Sequence, residues 1–166
     1  MGLIRETDCR MEDIMAITYE QFNGQEVLDD LGKICKTVEV CGSCEGKECL
    51  IGYSKICTAN CMRDKVTYVY EGQQNMPKYD IRGGYDEYDV LHAIAHLLVQ
   101  CRSCKTGHFD NCIINVVRNC LEVIEFGEEK EFNGEVLPYL AAMGEKYSAQ
   151  GNIIMEEYQK KKRQKE

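Results

Sequence analysis

Tryptophan is absent from the 166 residues, and histidine occurs only three times. A core must therefore come from Ile, Leu, Val, Met and the ten tyrosines, and 44% apolar residues suffice for a modest one. No apolar run approaches the roughly 20 residues that span a bilayer, so membrane insertion is not expected. The opening MGLIRETDCRMED turns polar at once, without the apolar centre of a secretory peptide. Glu6 stands where an acylation motif after Met-Gly needs Ser or Thr. A basic excess is also missing. The net charge of −8 argues against generic binding to a phosphate backbone and favours a basic protein partner over nucleic acid. A cytoplasmic chain with reduced thiols is the expectation.

What the chain has is cysteine. Eleven in a reducing compartment read as ligands or reactive thiols rather than disulfides, and the odd number fits a closed disulfide framework poorly. Six of them (Cys35, Cys41, Cys44, Cys49, Cys57 and Cys61) fall within 27 residues. Cys101, Cys104, Cys112 and Cys120 form a second group with His92, His96 and His108 nearby, and Cys9 stands apart. The stretch 35–84 carries seven bases against six acids, a slightly basic region in an acidic chain that suits thiolates.

Apolar spacing predicts a short helix over 11–22, broken at Asn23-Gly24, and a second over 25–36 with Cys35 on its core side. Residues 37–40 are β-like and lead into Cys41-Gly-Ser-Cys44, a turn from which two sulfurs diverge toward one ion. CLIGYSKICTANCMRD reads as a helix placing Cys57 and Cys61 on one face, with Cys49 two turns back. Residues 65–71, KVTYVYE, alternate like a strand. Residues 86–101 and about 109–126 predict an antiparallel helical hairpin, with Asp86 near the N-cap and Gly127 as the stop. The hairpin suggests two groupings: Cys101, Cys104, His108 and Cys112 at the turn, and His92, His96 and Cys120 at the far end, with Asp89 as a further donor. A helix over 136–149 with Pro138 in its first turn follows, then a break at Gly151-Asn152 and a last helix fraying into a basic tail at 158–166.

The expected fold is therefore α+β, mainly α. It is a single domain over 1–166, built on the hairpin (about 86–126) with a small Cys-rich module (35–71) and short β-strands. Cys41, Cys44, Cys49, Cys57 and Cys61 are the candidate ligands of an iron–sulfur cluster, most simply a [4Fe–4S] cluster held by four thiolates. The spacings do not match the tandem bacterial ferredoxin run, and no Pro follows a ligand cysteine. Zinc is the competing reading, through Cys41/Cys44 with Cys101/Cys104 or through the Cys101–Cys112 segment. Disulfide exchange at Cys41/Cys44 lacks its βαβ setting, and a hydrolytic site at His92/His96 lacks HExxH. Electron transfer, or an accessory role for a redox enzyme or an assembly system, follows from the first reading. A zinc-stabilised interaction module without redox activity or catalysis follows from the second.

Overall fold

The computed structural model describes residues 17–35, 46–80, 85–101 and 111–165. Six α-helices account for most of them: α1 Gly24–Ile34, α2 Leu50–Asp64, α3 Glu87–Gln100, α4 Ile113–Phe126, α5 Val136–Lys146 and α6 Ser148–Lys165. The central element is α3, which packs against α1, α4 and α6; α2 lies on α1 and α4, and α5 lies on α6. The sequence explains this placement. Val90, Leu91, Ala93, Ile94, Ala95, Leu97 and Leu98 are all buried, so α3 is apolar around most of its circumference and needs partners on several sides. Ile113, Ile114, Val116, Val117 and Leu121 give α4 the matching face.

The ends of these helices follow local chemistry. Asn23 Oδ1 accepts from Glu26 N at 3.0 Å and starts α1, while Asp86 Oδ1 accepts from Asp89 N at 3.0 Å and starts α3. Gly127, at φ +82°, closes α4 in the left-handed region. Cys49 is the N-cap of α2 but supplies no capping bond; Asp80 does, accepting from Leu50 N at 2.9 Å. Gly52 lets the 3-10 turn Gly46–Glu48 rest directly on α2, since a Cβ there would lie 2.1 Å from Gly46 O.

The α+β expectation is overturned, because there is no β-strand among the described residues. The alternation at 65–71 yields one antiparallel bridge, Tyr68 with Cys112, with Val69 N donating to Asn111 O and Ile113 N to Thr67 O, each at 2.8 Å. Lys65 (φ +58°) and Glu71 (φ +52°) both turn the chain, leaving too few residues between them for a ladder. Tyr68 and Tyr70 stay exposed, so the alternation has no second layer to bury against. The β-like run at 37–40 lies outside the described residues. The helix expected over 11–22 is, from Ile17 onward, one 3-10 turn at Tyr19–Gln21.

The break expected at Gly151-Asn152 falls instead at Tyr147, and Gly151 lies inside α6. A Cβ on Gly151 would sit 2.7 Å from Gly144 Cα and Met143 O, so this glycine permits close packing of α5 on α6 rather than ending a helix. Helix α6 continues through the basic residues to Lys165.

The start of α3 and the end of α4 meet at a carboxyl pair. Burial, and then a hydrogen bond with Glu87, push Glu125 up to about 8. A folded-state value above the unfolded one means stability that is present below about pH 4.3 and lost as pH rises through about 8. Glu125→Gln keeps the hydrogen bond without the proton. It should raise the melting temperature at pH 9 and leave it unchanged at pH 4, and an equal shift at both values would refute the shared proton.

Candidate metal centre

The inner face of α2 has the spacing of a core stripe but an unusual composition. Leu50, Ile51, Tyr53, Ser54, Cys57, Thr58 and Cys61 are buried, so hydroxyls and thiols occupy positions where aliphatic side chains would ordinarily sit. Across from it, α4 presents Cys120, fully buried, and Cys112 at its N-cap. The two cysteine groups, far apart in sequence, thus meet at one interface. Cys57 and Cys112 both act on the charge of Cys61, and Cys57 and Cys49 both act on Cys120.

Polar contacts line this interface. Cys57 hydrogen-bonds the hydroxyl of Tyr53, which donates to Gly72 O at 2.7 Å. Cys61 Sγ donates to Tyr68 O at 3.5 Å, and Cys49 Sγ lies 3.7 Å from Tyr85 Oη. Ser54 Oγ, on the side of Cys120, and Thr58 Oγ1 are both buried with no hydrogen-bond partner. A buried hydroxyl without a partner costs about 1–3 kcal/mol, so its retention here calls for a reason.

Burial is the main cause of the thiol shifts. It raises Cys57, and with Cys57, Cys112 and Asp64 as like-charged neighbours it carries Cys61 up to about 12. Cys120 also reaches about 12 through burial; the Ser54 hydroxyl offsets part of this, and Cys57, Glu129 and Cys49 add to it. Without a cation these sulfurs are neutral thiols. A bound cation supplies the charge that lets several ionise together, with release of their protons.

The other expected site residues are placed as follows. Cys35 caps the end of α1, half-buried against the core. Cys101 caps α3, its N–H directed at Leu97 O and Leu98 O. Cys41, Cys44, Cys104 and His108 lie outside the described residues. His92 and His96 share a face of α3 but are not joined by Cys120, whose neighbours are on α2. Their partners are Asp30 of α1 and Glu157 of α6. Asp30, His92 and His96 bring one donor atom each within 4.8 Å of one another. His96 Nδ1 lies 2.7 Å from Asp30 Oδ2, and His92 Nε2 lies 3.4 Å from Glu157 Oε1. Burial and the adjacent His96 hold His92 below its ordinary range, against the opposing pull of Asp30 and Glu157.

Sequence reasoning missed Asp30, Glu157, Ser54 and Thr58. A signal existed for Asp30, an acid inside the buried stripe Val27, Leu31, Ile34. Glu157 likewise sits between the buried Ile154 and Tyr158.

A third polar cluster proves structural. Glu122, fully buried, accepts from Arg118 Nε at 2.9 Å, Tyr139 Oη at 2.6 Å, Asn119 Nδ2 at 2.8 Å and Lys130 N at 2.9 Å. It joins α4 to α5 and to the 127–135 connection. The neighbouring cleft of about 290 Å³ is lined by Lys78, Arg118, Glu129 and Lys130, charges already paired within the fold.

No helix among the described residues is long and apolar enough to cross a membrane. Comparison with protein-family models, curated proteins and solved structures finds no match for the chain, so no family is assigned to it.

Proposed function

We propose that the α2–α4 interface binds metal through thiolates, and that the chain is an iron–sulfur cluster-binding protein serving electron transfer or supporting a redox enzyme or its assembly. The observation that carries this reading is the placing of Cys57 and Cys61 on the buried face of α2, beside buried hydroxyls, with Cys120 buried on α4, the helix packed against it. The aliphatic core on α1, α3 and α4 is continuous with this interface. Hydroxyl donors beside sulfur are also a lever by which proteins set cluster potentials. Cys41 and Cys44 complete the candidate ligand set in sequence. The acidic surface supports a basic protein partner.

Purification without oxygen tests this. Expected is a brown protein with broad visible absorbance and equal amounts of iron and acid-labile sulfide, lost in Cys57→Ser and Cys61→Ser. A colourless protein carrying zinc alone would transfer the site to the zinc-stabilised, non-redox reading. Retention of full iron in both variants would remove these cysteines from the ligand set.

A further inference from the structure

We infer that Asp30, His92 and His96, with Glu157 beside His92, form a second metal site, separate from the thiols, that takes a divalent first-row ion. The fold assembles it from three helices. His92 and His96 are four residues apart on α3, so both rings leave the same face, with centroids 4.0 Å apart. Asp30 reaches them from α1 and Glu157 from α6, and both carboxylates are buried, as is His96. His92 is half-buried and opens the cluster toward solvent.

The donor atoms of Asp30, His92 and His96 lie within 4.8 Å of one another, close enough for small side-chain shifts to bring them onto one ion. Ligand bonds of about 2.0–2.1 Å in a tetrahedral arrangement place neighbouring ligand atoms about 3.3 Å apart. His92 Nε2 and Glu157 Oε1, at 3.4 Å, already have that spacing, and it is long for a charge-assisted hydrogen bond. His96 Nδ1 and Asp30 Oδ2, at 2.7 Å, are hydrogen-bonded; an ion between them needs the pair to open by about 0.6 Å.

The surroundings orient the donors. Tyr88 Oη donates to Glu157 Oε2 at 2.7 Å, which leaves Oε1 directed at His92. The Tyr88 ring also stacks on His92 at 5.5 Å, fixing the imidazole plane. Such outer contacts are typical of metal-binding histidines and carboxylates. The nearby cations are Lys160, 3.6 Å from Glu157 on its solvent side, and Lys33, which acts weakly on His92. Two imidazoles and a carboxylate, with the Glu157 carboxylate beside His92, favour zinc, ferrous or cobaltous ions over the softer chemistry of the thiols. An ion-pair network alone would account for Asp30 with His96 and for Glu157 with His92. A metal site adds a reason for the two imidazoles to lie against each other, with Asp30 in reach of both.

The inference is independent of the thiol reading, and Co(II) titration of the full-length, metal-stripped chain separates the two. Expected is one equivalent bound with visible ligand-field bands and no sulfur-to-metal charge transfer in Cys57→Ser/Cys61→Ser/Cys120→Ser, and the same component in the wild type beside a separate charge-transfer component from the thiols. His92→Gln should weaken that component at least tenfold while leaving any charge-transfer component unchanged. Glu157→Gln should act in the same direction, and circular dichroism should show both variants folded. If the triple variant fails to fold, the two spectral components are compared in the wild type and in His92→Gln. Cobalt bound only with sulfur charge transfer, or affinity unchanged in folded His92→Gln and Glu157→Gln, would overturn the second site. Absence of the charge-transfer component alone would count against the thiol reading and leave this one standing.

Discussion

Glu122→Ala should destabilise the protein by about 3–5 kcal/mol, a large part of the roughly 5–15 kcal/mol that holds a domain of this size. The reason lies in what is left behind. Arg118 is almost fully buried, with its guanidinium on Glu122 and Asn115 and its Cζ 4.3 Å from the centre of the Phe132 ring. Removing the carboxylate strands that cation in a region of low dielectric constant. It also strips the acceptor from Tyr139, Asn119 and Lys130 N. Replacing both partners tests the mechanism. Arg118→Met with Glu122→Leu should recover much of the loss, because apolar groups of similar size need no partner. Urea unfolding of the two variants beside the wild type decides the point. A double variant as unstable as the single would mean that the network contributes through shape rather than charge compensation.

The second large effect is on pH. In the metal-free protein, Cys120 is raised from 9.0 to about 12, chiefly by burial. The folded state therefore favours the neutral thiol. Its contribution is fully present below about pH 9 and is lost as pH rises toward 12. At about 1.4 kcal/mol per pH unit, unfolding at pH 11 should be easier by about 2–3 kcal/mol from this group alone. Cys61 acts in the same direction but is less deeply buried, so solvent weakens its share. Cys120→Ala should remove one proton's worth of slope from a plot of stability against pH above 9. The metal-loaded protein should lack the slope at ligand positions, because those sulfurs are already thiolates. Parallel wild-type and Cys120→Ala curves would show that Cys120 does not stay protonated in the fold.

Local pattern was enough for most of the helical framework. Alternating apolar turns, Asp86, Gly127 and Pro138 place α3, α4 and α5 to within a few residues of where they are expected, since these signals act over one or two helical turns. The abundance of cysteine, unbridged among the described residues, is the compositional feature behind the metal proposal.

Tertiary packing decided the rest. KVTYVYE alternates as a strand should, yet it makes a single bridge, because two left-handed residues and an absent second layer outweigh its propensity. Gly151 reads locally as a helix breaker and instead serves a helix crossing, which only the approach of Gly144 reveals. The two cysteine groups look like separate sites until α2 and α4 come face to face. His92 and His96 look like partners of Cys120 until the rotation of α3 turns them toward Asp30 and Glu157. Spacing along a chain specifies which side chains share a helix face. Which face meets which depends on how six helices together bury one core.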